Sequence, residues 1–275
     1  MKQFFWLSTL FACFSTFFIF CKKDTVVENL SNSKAEHSNS LIAEERDEVH
    51  YYYIDGVSAT QTSYETKLSQ TGVYEHIIFD PTSSENVYSH YVFSTKAGYI
   101  LWGDALGFKI SKAIYVADRL AFVADSAGLN QIDSTSTDTI PLWYDNFKKN
   151  LIKKELDDSN SPDFVCYAVY FWQGYTQANL PAHVKVGGNV VSEPRILWNN
   201  NKLSSWKPDI MDCLSDYRYA HLNAWDKWHY VKPIPNPIAP FPTTITVKGN
   251  VFTPFLNIYA PWDNKISSYT SWETQ

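Results

Sequence analysis

The sequence predicts a small α+β module followed by an all-β domain, and three observations carry that prediction. Three strand candidates are followed by two capped, amphipathic helix candidates between residues 49 and 135. From Phe164 onward, Pro, Gly and Asn recur between short aromatic and β-branched runs, the pattern of antiparallel strands joined by turns. Within that second region one hexapeptide occurs twice. Asn200-Asn201-Lys202-Leu203-Ser204-Ser205 returns as Asp263-Asn264-Lys265-Ile266-Ser267-Ser268. An aromatic follows each copy (Trp206, Tyr269) and a Trp precedes each (Trp198, Trp262). Such a repeat implies a domain built from two related halves.

The elements follow in order. Val49–Ile54 is a strand, and Asp55-Gly56 is a hairpin turn signal. Val73–Phe79 and Val87–Phe93 are further strands. Ser94 or Thr95 caps a helix running to about Leu106, with Gly107 at its end. Ser111 is expected to cap a second helix through Ile114, Tyr115, Ala117, Leu120, Ala121 and Ala124 to Gly128. Asp133–Asp138 is a linker, and Leu142–Leu156 is helix-like within a connecting segment at 136–162. Pro208, Pro233, Pro235, Pro237, Pro240 and Pro242 argue against helix after the first hexapeptide, so 163–275 reads as antiparallel β-structure.

The N-terminus reads as an export signal over residues 1–20: Met1-Lys2-Gln3, then an uncharged apolar run from Phe4 to Phe20, ended by Cys21-Lys22-Lys23-Asp24. Cys21 at this boundary resembles the acylated first residue of bacterial lipoproteins, although Phe20 departs from the small residue normal before that Cys. Cys13, after Leu10-Phe11-Ala12, fits that rule better but would leave an apolar tail, Phe14–Phe20, behind the lipid. An uncleaved membrane anchor is the other reading of the run. Residues 21–48 are a polar tether rich in Ser, Asn, Glu and Lys. The expectation is a membrane-anchored lipoprotein of the cell envelope. Cys166 and Cys213 then remain as a candidate disulfide in an oxidising compartment, or as two buried thiols.

A net charge of −6 gives no nucleic-acid footprint. Aromatic residues make up 16% while Met numbers only 2, which favours β-structure over helix bundles. No His-Glu-x-x-His, Gly-x-Ser-x-Gly, phosphate loop or dinucleotide fingerprint is present, so an enzyme is the least supported class. The seven histidines show no zinc-ligand spacing, and His221 and His229 read as surface or strand residues.

The two hexapeptides resemble the calcium-binding stretch of microbial βγ-crystallin domains: Asn/Asp, Asn/Asp, any, any, Ser/Thr, Ser. Tyr167-x-x-x-x-Trp172-x-Gly174 is similar to the aromatic-to-glycine signature that opens a Greek-key motif in that family, and its distance ahead of Asn200 suits the fold. The second half has aromatics near Ala220–Trp228 but no matching Gly, and a proline-rich insertion between Lys232 and Pro242. The resemblance covers 163–275 and implies a Greek-key βγ-crystallin-like sandwich with calcium as its cofactor. Calcium takes six to eight oxygens, more than one hexapeptide supplies, so two loops side by side are expected to trade ligands.

In the family the filler residue contributes its main-chain carbonyl, which lets Lys202 and Lys265 stand there with their ammonium groups in water. Asn200, Asn201, Asp263 and Asn264, with Ser204, Ser205, Ser267 and Ser268, supply the remaining protein oxygens, and the terminal serines also support the turns. Asp263 is the only formal anion among the motif positions, so affinity is expected at the weak end, roughly 10⁻⁴ M or poorer. The function implied is a lipid-anchored calcium-binding structural or binding protein. Its alternatives are an inhibitor or ligand of an extracellular hydrolase and a carbohydrate-binding surface protein, with a protein or glycan partner respectively.

Overall fold

Eight strands form one mixed sheet among the described residues, in the order β2-β1-β4-β3-β10-β9-β12-β7. The computed structural model describes residues 47–81, 85–128, 141–156, 167–173, 180–187, 190–193, 202–210, 219–225, 241–249, 253–254, 263–266 and 268–274. The elements are β1 (Asp47–Ile54), β2 (Val57–Ala59), α1 (Gln61–Leu68), β3 (Tyr74–Phe79), β4 (Glu85–Phe93), α2 (Lys96–Ala105), α3 (Ile110–Ser126) and α4 (Leu142–Leu156), followed by β5 (Tyr167–Trp172), β6 (His183–Gly187), β7 (Val190–Glu193), β8 (Ser205–Ile210), β9 (Tyr219–Trp225), β10 (Thr244–Lys248), β11 (Thr253–Pro254) and β12 (Ser268–Thr274). A second, four-stranded sheet has the order β11-β8-β5-β6. The fold is therefore α+β. Residues 1–46, with the signal segment, Cys21 and most of the tether, and Cys166 and Cys213 lie outside the described residues; Asp47 and Glu48, expected to end the tether, open β1. Among the described residues no helix is long and apolar enough to cross a membrane.

The local chemistry follows the sequence closely in the first half. Asp55 and Gly56 both have positive φ (49° and 81°), the requirement of a tight hairpin between β1 and β2. Thr95 caps α2, its Oγ1 accepting the Gly98 N–H at 3.1 Å. Ser94 instead bonds Asp55 through both its N–H (2.7 Å) and its hydroxyl (2.6 Å). Ser111 does not cap α3 and lies inside it. Lys109 turns the chain in a left-handed conformation (φ 56°), and Asp104 of the preceding helix accepts the Ser111 N–H at 3.0 Å. Helix α1 is mostly polar and carries no apolar period. It docks through buried Tyr64, whose hydroxyl donates to Glu75 at 2.6 Å.

The expected module at 49–135 and the expected β-domain at 163–275 share one sheet. Strand β3 runs parallel to β10, with His76 opposite Thr244 and Phe79 opposite Val247. All the described residues fall in one compact unit, Arg46–Gln275. The large sheet is buried on both faces across β3, β10, β9 and β12, while β1 and β2 at its edge are partly exposed. Ile77, Phe79, Leu222, Ile245, Val247 and Tyr269 meet Tyr167, Val169, Phe171 and Trp206 of the small sheet. On the opposite face Trp225 and Trp272 pack with Tyr99, Phe108, Ile110, Ile114, Leu120 and Ile152 of the helical layer. Covering both faces of so wide a sheet is the main source of apolar burial, the dominant stabilising term in folding.

Strands β5–β12 form two sets of four in chain order. In each set, three strands stay together and the third crosses over: β7 joins β12 in the large sheet, and β11 joins β8 in the small one. The two sets correspond residue by residue, since Trp172 faces Ser205 as Trp225 faces Ser268. Between those equivalents the second set is the longer, spanning 226–267 against 173–204. Pro208 in β8 is tolerated because β11 pairs only with Ser205 and Trp206, leaving the outer edge beside Pro208 unpaired among the described residues.

Candidate cation site

Each hexapeptide ends on the first residue of a fourth strand: Ser205 opens β8 and Ser268 opens β12. The aliphatic positions anchor them. Leu203 and Ile266 are fully buried in the core between the sheets, as are Trp206 and Tyr269. The residues just before each aliphatic position turn outward, while Ser204, Ser205 and Ser268 after it are buried. Lys202, Asn264 and Lys265 are exposed, with both ammonium groups within reach of water, as the resemblance implies. Trp172, Trp206, Trp225 and Trp272 are buried core residues.

The structure brings the two loops together. Asn264 stands in the left-handed region (φ 56°), which Asn tolerates better than most residues, and its N–H donates to the Leu203 carbonyl at 3.0 Å. Ser204 N–H donates to the Trp172 carbonyl at 2.8 Å. The Ser204 hydroxyl then lies 3.4 Å from Asn264 Oδ1 and 3.3 Å from the Gln173 carbonyl oxygen. Both separations are long for a hydroxyl hydrogen bond, which is usually about 2.7–2.8 Å. They match the spacing of oxygens around one large cation: ligands about 2.3–2.6 Å from Ca²⁺ at neighbouring positions are about 2.9–3.7 Å apart. Buried Ser205 and Ser268 and half-buried Asp263 complete the described part of the two loops. Asn200, Asn201 and Ser267 lie outside the described residues, as do Trp198, Trp262 and Gly174. Among the described residues no three His, Cys, Asp or Glu side chains gather as a metal cluster; the loops instead offer amide, hydroxyl and main-chain oxygens.

Sequence reading missed a polar chain buried under the helices. Thr246 Oγ1 is 2.7 Å from both His76 Nε2 and His221 Nδ1. His221 Nε2 is 2.8 Å from Thr274 Oγ1, and His76 Nδ1 is 3.0 Å from the Tyr99 hydroxyl, which donates to Thr244 at 2.9 Å. One polarity satisfies every member: Thr274 donates to His221, His221 to Thr246, Thr246 to His76, His76 to Tyr99, and Tyr99 to Thr244. This assigns the proton to Nδ1 in both rings. His221, expected at the surface or in a strand, is a fully buried strand residue. Burial holds His76 down at about 3, and burial with His76 and Lys109 nearby holds His221 well below the ordinary range.

Two carboxyls are displaced the other way. Burial raises Glu75 to about 7, against the opposing hydrogen bonds from Thr243 and Tyr64, and burial raises Glu273 to about 8 against the pull of Lys109. Stability should therefore have a defined pH profile. The unfolded chain binds more protons than native His76 from about pH 3 to the unfolded value of 6.5, and His221 acts in the same direction, so acid below 6.5 destabilises. The native carboxyls bind more protons than the unfolded ones from 4.5 up to about 7 and 8, so rising pH destabilises through that window. The two effects oppose between 4.5 and 6.5, where a broad maximum is expected. Urea unfolding from acid to alkaline pH tests this. Glu75→Gln should soften the alkaline decline and leave the acid limb; stability still climbing between 6.5 and about 8 would contradict it.

Compared with protein-family models, with curated proteins and with solved structures, the chain matches none.

Proposed function

We propose that the chain is an exported, lipid-anchored calcium-binding structural or binding protein whose C-terminal half is a βγ-crystallin-like Greek-key sandwich. The observation that carries this reading is the meeting of the two loops, where Ser204 of one copy approaches Asn264 of the other at 3.4 Å. Ligand exchange between duplicated loops requires that contact. The strand order adds support, because two sets of four strands that trade their third members are what interlocked Greek keys produce. Export and lipid attachment at Cys21 rest on the N-terminal sequence.

Ser204, Asn264 and carbonyl oxygens would hold the ion, with Asn200, Asn201, Asp263, Ser267 and the Lys202 and Lys265 carbonyls as the further ligands that the resemblance implies. The chemistry a bound cation supplies is cross-linking of two turns that the backbone joins only through the Asn264–Leu203 bond among the contacts above. Binding the native state alone stabilises it by about 1.4 kcal/mol at ten times the dissociation constant.

Thermal unfolding at millimolar calcium tests the proposal. Calcium should raise the melting temperature more than equal magnesium, which keeps its water and demands a smaller octahedral site. Ser204→Ala should lose most of that calcium-dependent shift while costing the calcium-free protein about 1 kcal/mol or less, since its hydroxyl makes only long bonds. Equal shifts from both ions, or a full shift in the variant, would sink the reading.

A further inference from the structure

Strands β1 and β4 run parallel with His50 opposite Tyr88 and Tyr52 opposite His90. The two histidines are thus diagonal neighbours on one face of the sheet. His50 Nδ1 and His90 Nε2 stand 3.0 Å apart. On its far side, His50 Nε2 faces Glu48 Oε2 at 3.7 Å. We propose that His50 and His90 form a binding site for a borderline divalent transition metal of the Cu²⁺ or Zn²⁺ class, separate from the oxygen-rich loops.

Geometry is the first argument. Two nitrogens each about 2.0–2.1 Å from a metal, at angles between square-planar and tetrahedral, lie about 2.8–3.4 Å apart. The observed 3.0 Å falls inside that range; the ring centroids stand 5.2 Å apart with the two nitrogens pointing at each other, so coordination turns each ring toward a shared apex. One hydrogen now lies between the facing nitrogens. On binding it moves to the other nitrogen of its own ring, which frees both lone pairs without changing the charge of either imidazole.

Preorganisation is the second argument. Both rings are held before any metal arrives. Tyr88 stacks on His50 with centroids 4.8 Å apart, Tyr52 stacks on His90 at 5.0 Å, and Tyr64 meets His90 edge-on at 5.8 Å. Glu48 stands behind the far nitrogen of His50, where a carboxylate orients an imidazole and raises its basicity as a ligand. Access is the third. Strand β2 pairs only with Tyr52–Ile54, so at His50 the described sheet ends on β1. His50 is part-exposed there while His90 is buried behind it. Water would fill the remaining positions around the ion. Nitrogen donors suit copper and zinc and are poor ligands for calcium.

Copper alone is the probe, added below one equivalent to the full chain. Frozen-solution EPR should show hyperfine coupling to two imidazole nitrogens. His50→Ala and His90→Ala should each remove one nitrogen from that spectrum and weaken binding at least tenfold. Glu48→Gln keeps both ligands and sits on the surface. It should preserve the nitrogen count and weaken binding about tenfold or more, the usual effect of losing an outer partner. Excess calcium should displace nothing. An unchanged spectrum in both histidine variants means copper sits elsewhere and overturns the site. So does wild-type copper without two nitrogens, or copper displaced by calcium. If His90→Ala fails to fold, His50→Ala and Glu48→Gln decide alone.

Discussion

Thr246→Val should destabilise the protein by about 2–6 kcal/mol, the cost of two orphaned buried polar groups at about 1–3 kcal/mol each. Valine matches threonine in shape and leaves no cavity, so the loss is one of hydrogen bonding alone. The hydroxyl is the single junction between His76 and His221, at 2.7 Å from each ring. In the assigned polarity it donates to His76 and accepts from His221, so its removal strands one buried acceptor and one buried donor. Neither ring can turn to water, because both side chains are fully enclosed between the sheet and the helical layer. Thr274→Val is the internal comparison. It breaks only the terminal 2.8 Å link and should cost about half as much, about 1–3 kcal/mol. Urea unfolding of the two variants measures both. Thr246→Val within about 0.5 kcal/mol of wild type, the ordinary scatter of a neutral substitution, would mean that the chain is not the connected network its distances describe.

Trp272→Ala should cost about 3–5 kcal/mol, the range for removing a large aromatic from a core. Trp272 lies on β12, fully buried, stacked on His221 at 5.1 Å between centroids. Its indole N–H donates to the Phe108 carbonyl at 3.1 Å, just before α3 begins. The substitution therefore opens a cavity and also leaves that carbonyl without its indole donor. Because the residue ties sheet to helices, the near-ultraviolet signal of the remaining aromatics should weaken along with stability. Trp272→Phe refills most of the volume but not the bond, and should recover more than half of the loss. A Trp272→Ala protein within about 1 kcal/mol of wild type, below the core range, would contradict this account of the interface.

The elements most easily read in the sequence are those whose chemistry is local. The Asp55-Gly56 turn, the Thr95 cap and the span of α4 all depend on residues within a few positions of one another, and all stand as expected. The loop pair was legible for a different reason: repetition implied two related halves, and related halves place equivalent loops near each other. Long-range pairings left no such trace. Nothing near His50 indicates that His90 will lie beside it, because the contact is made by parallel pairing of β1 with β4. Strand β9 hid its burial in another way. Tyr219, His221 and Asn223 alternate with Ala220, Leu222 and Ala224 as a solvent-facing row would, yet helices cover that row and the polar groups find partners or are buried. Helix α1 left no signal because its contact with the sheet rests chiefly on one residue, Tyr64, and one aromatic makes no period.

The parallel seam between β3 and β10 also sets a timetable for the chain. His76 and Thr244 are partners separated by well over half of the sequence. Until residue 244 has been made, β3 has β4 on one side and nothing on the other, and the long closure it awaits is the slow kind that non-local sheets impose. The first half is thus committed late, by the second, and a chain cut short before β10 would carry a bare strand edge open to pairing with its neighbours. Maturation of this protein is gated by its C-terminal third.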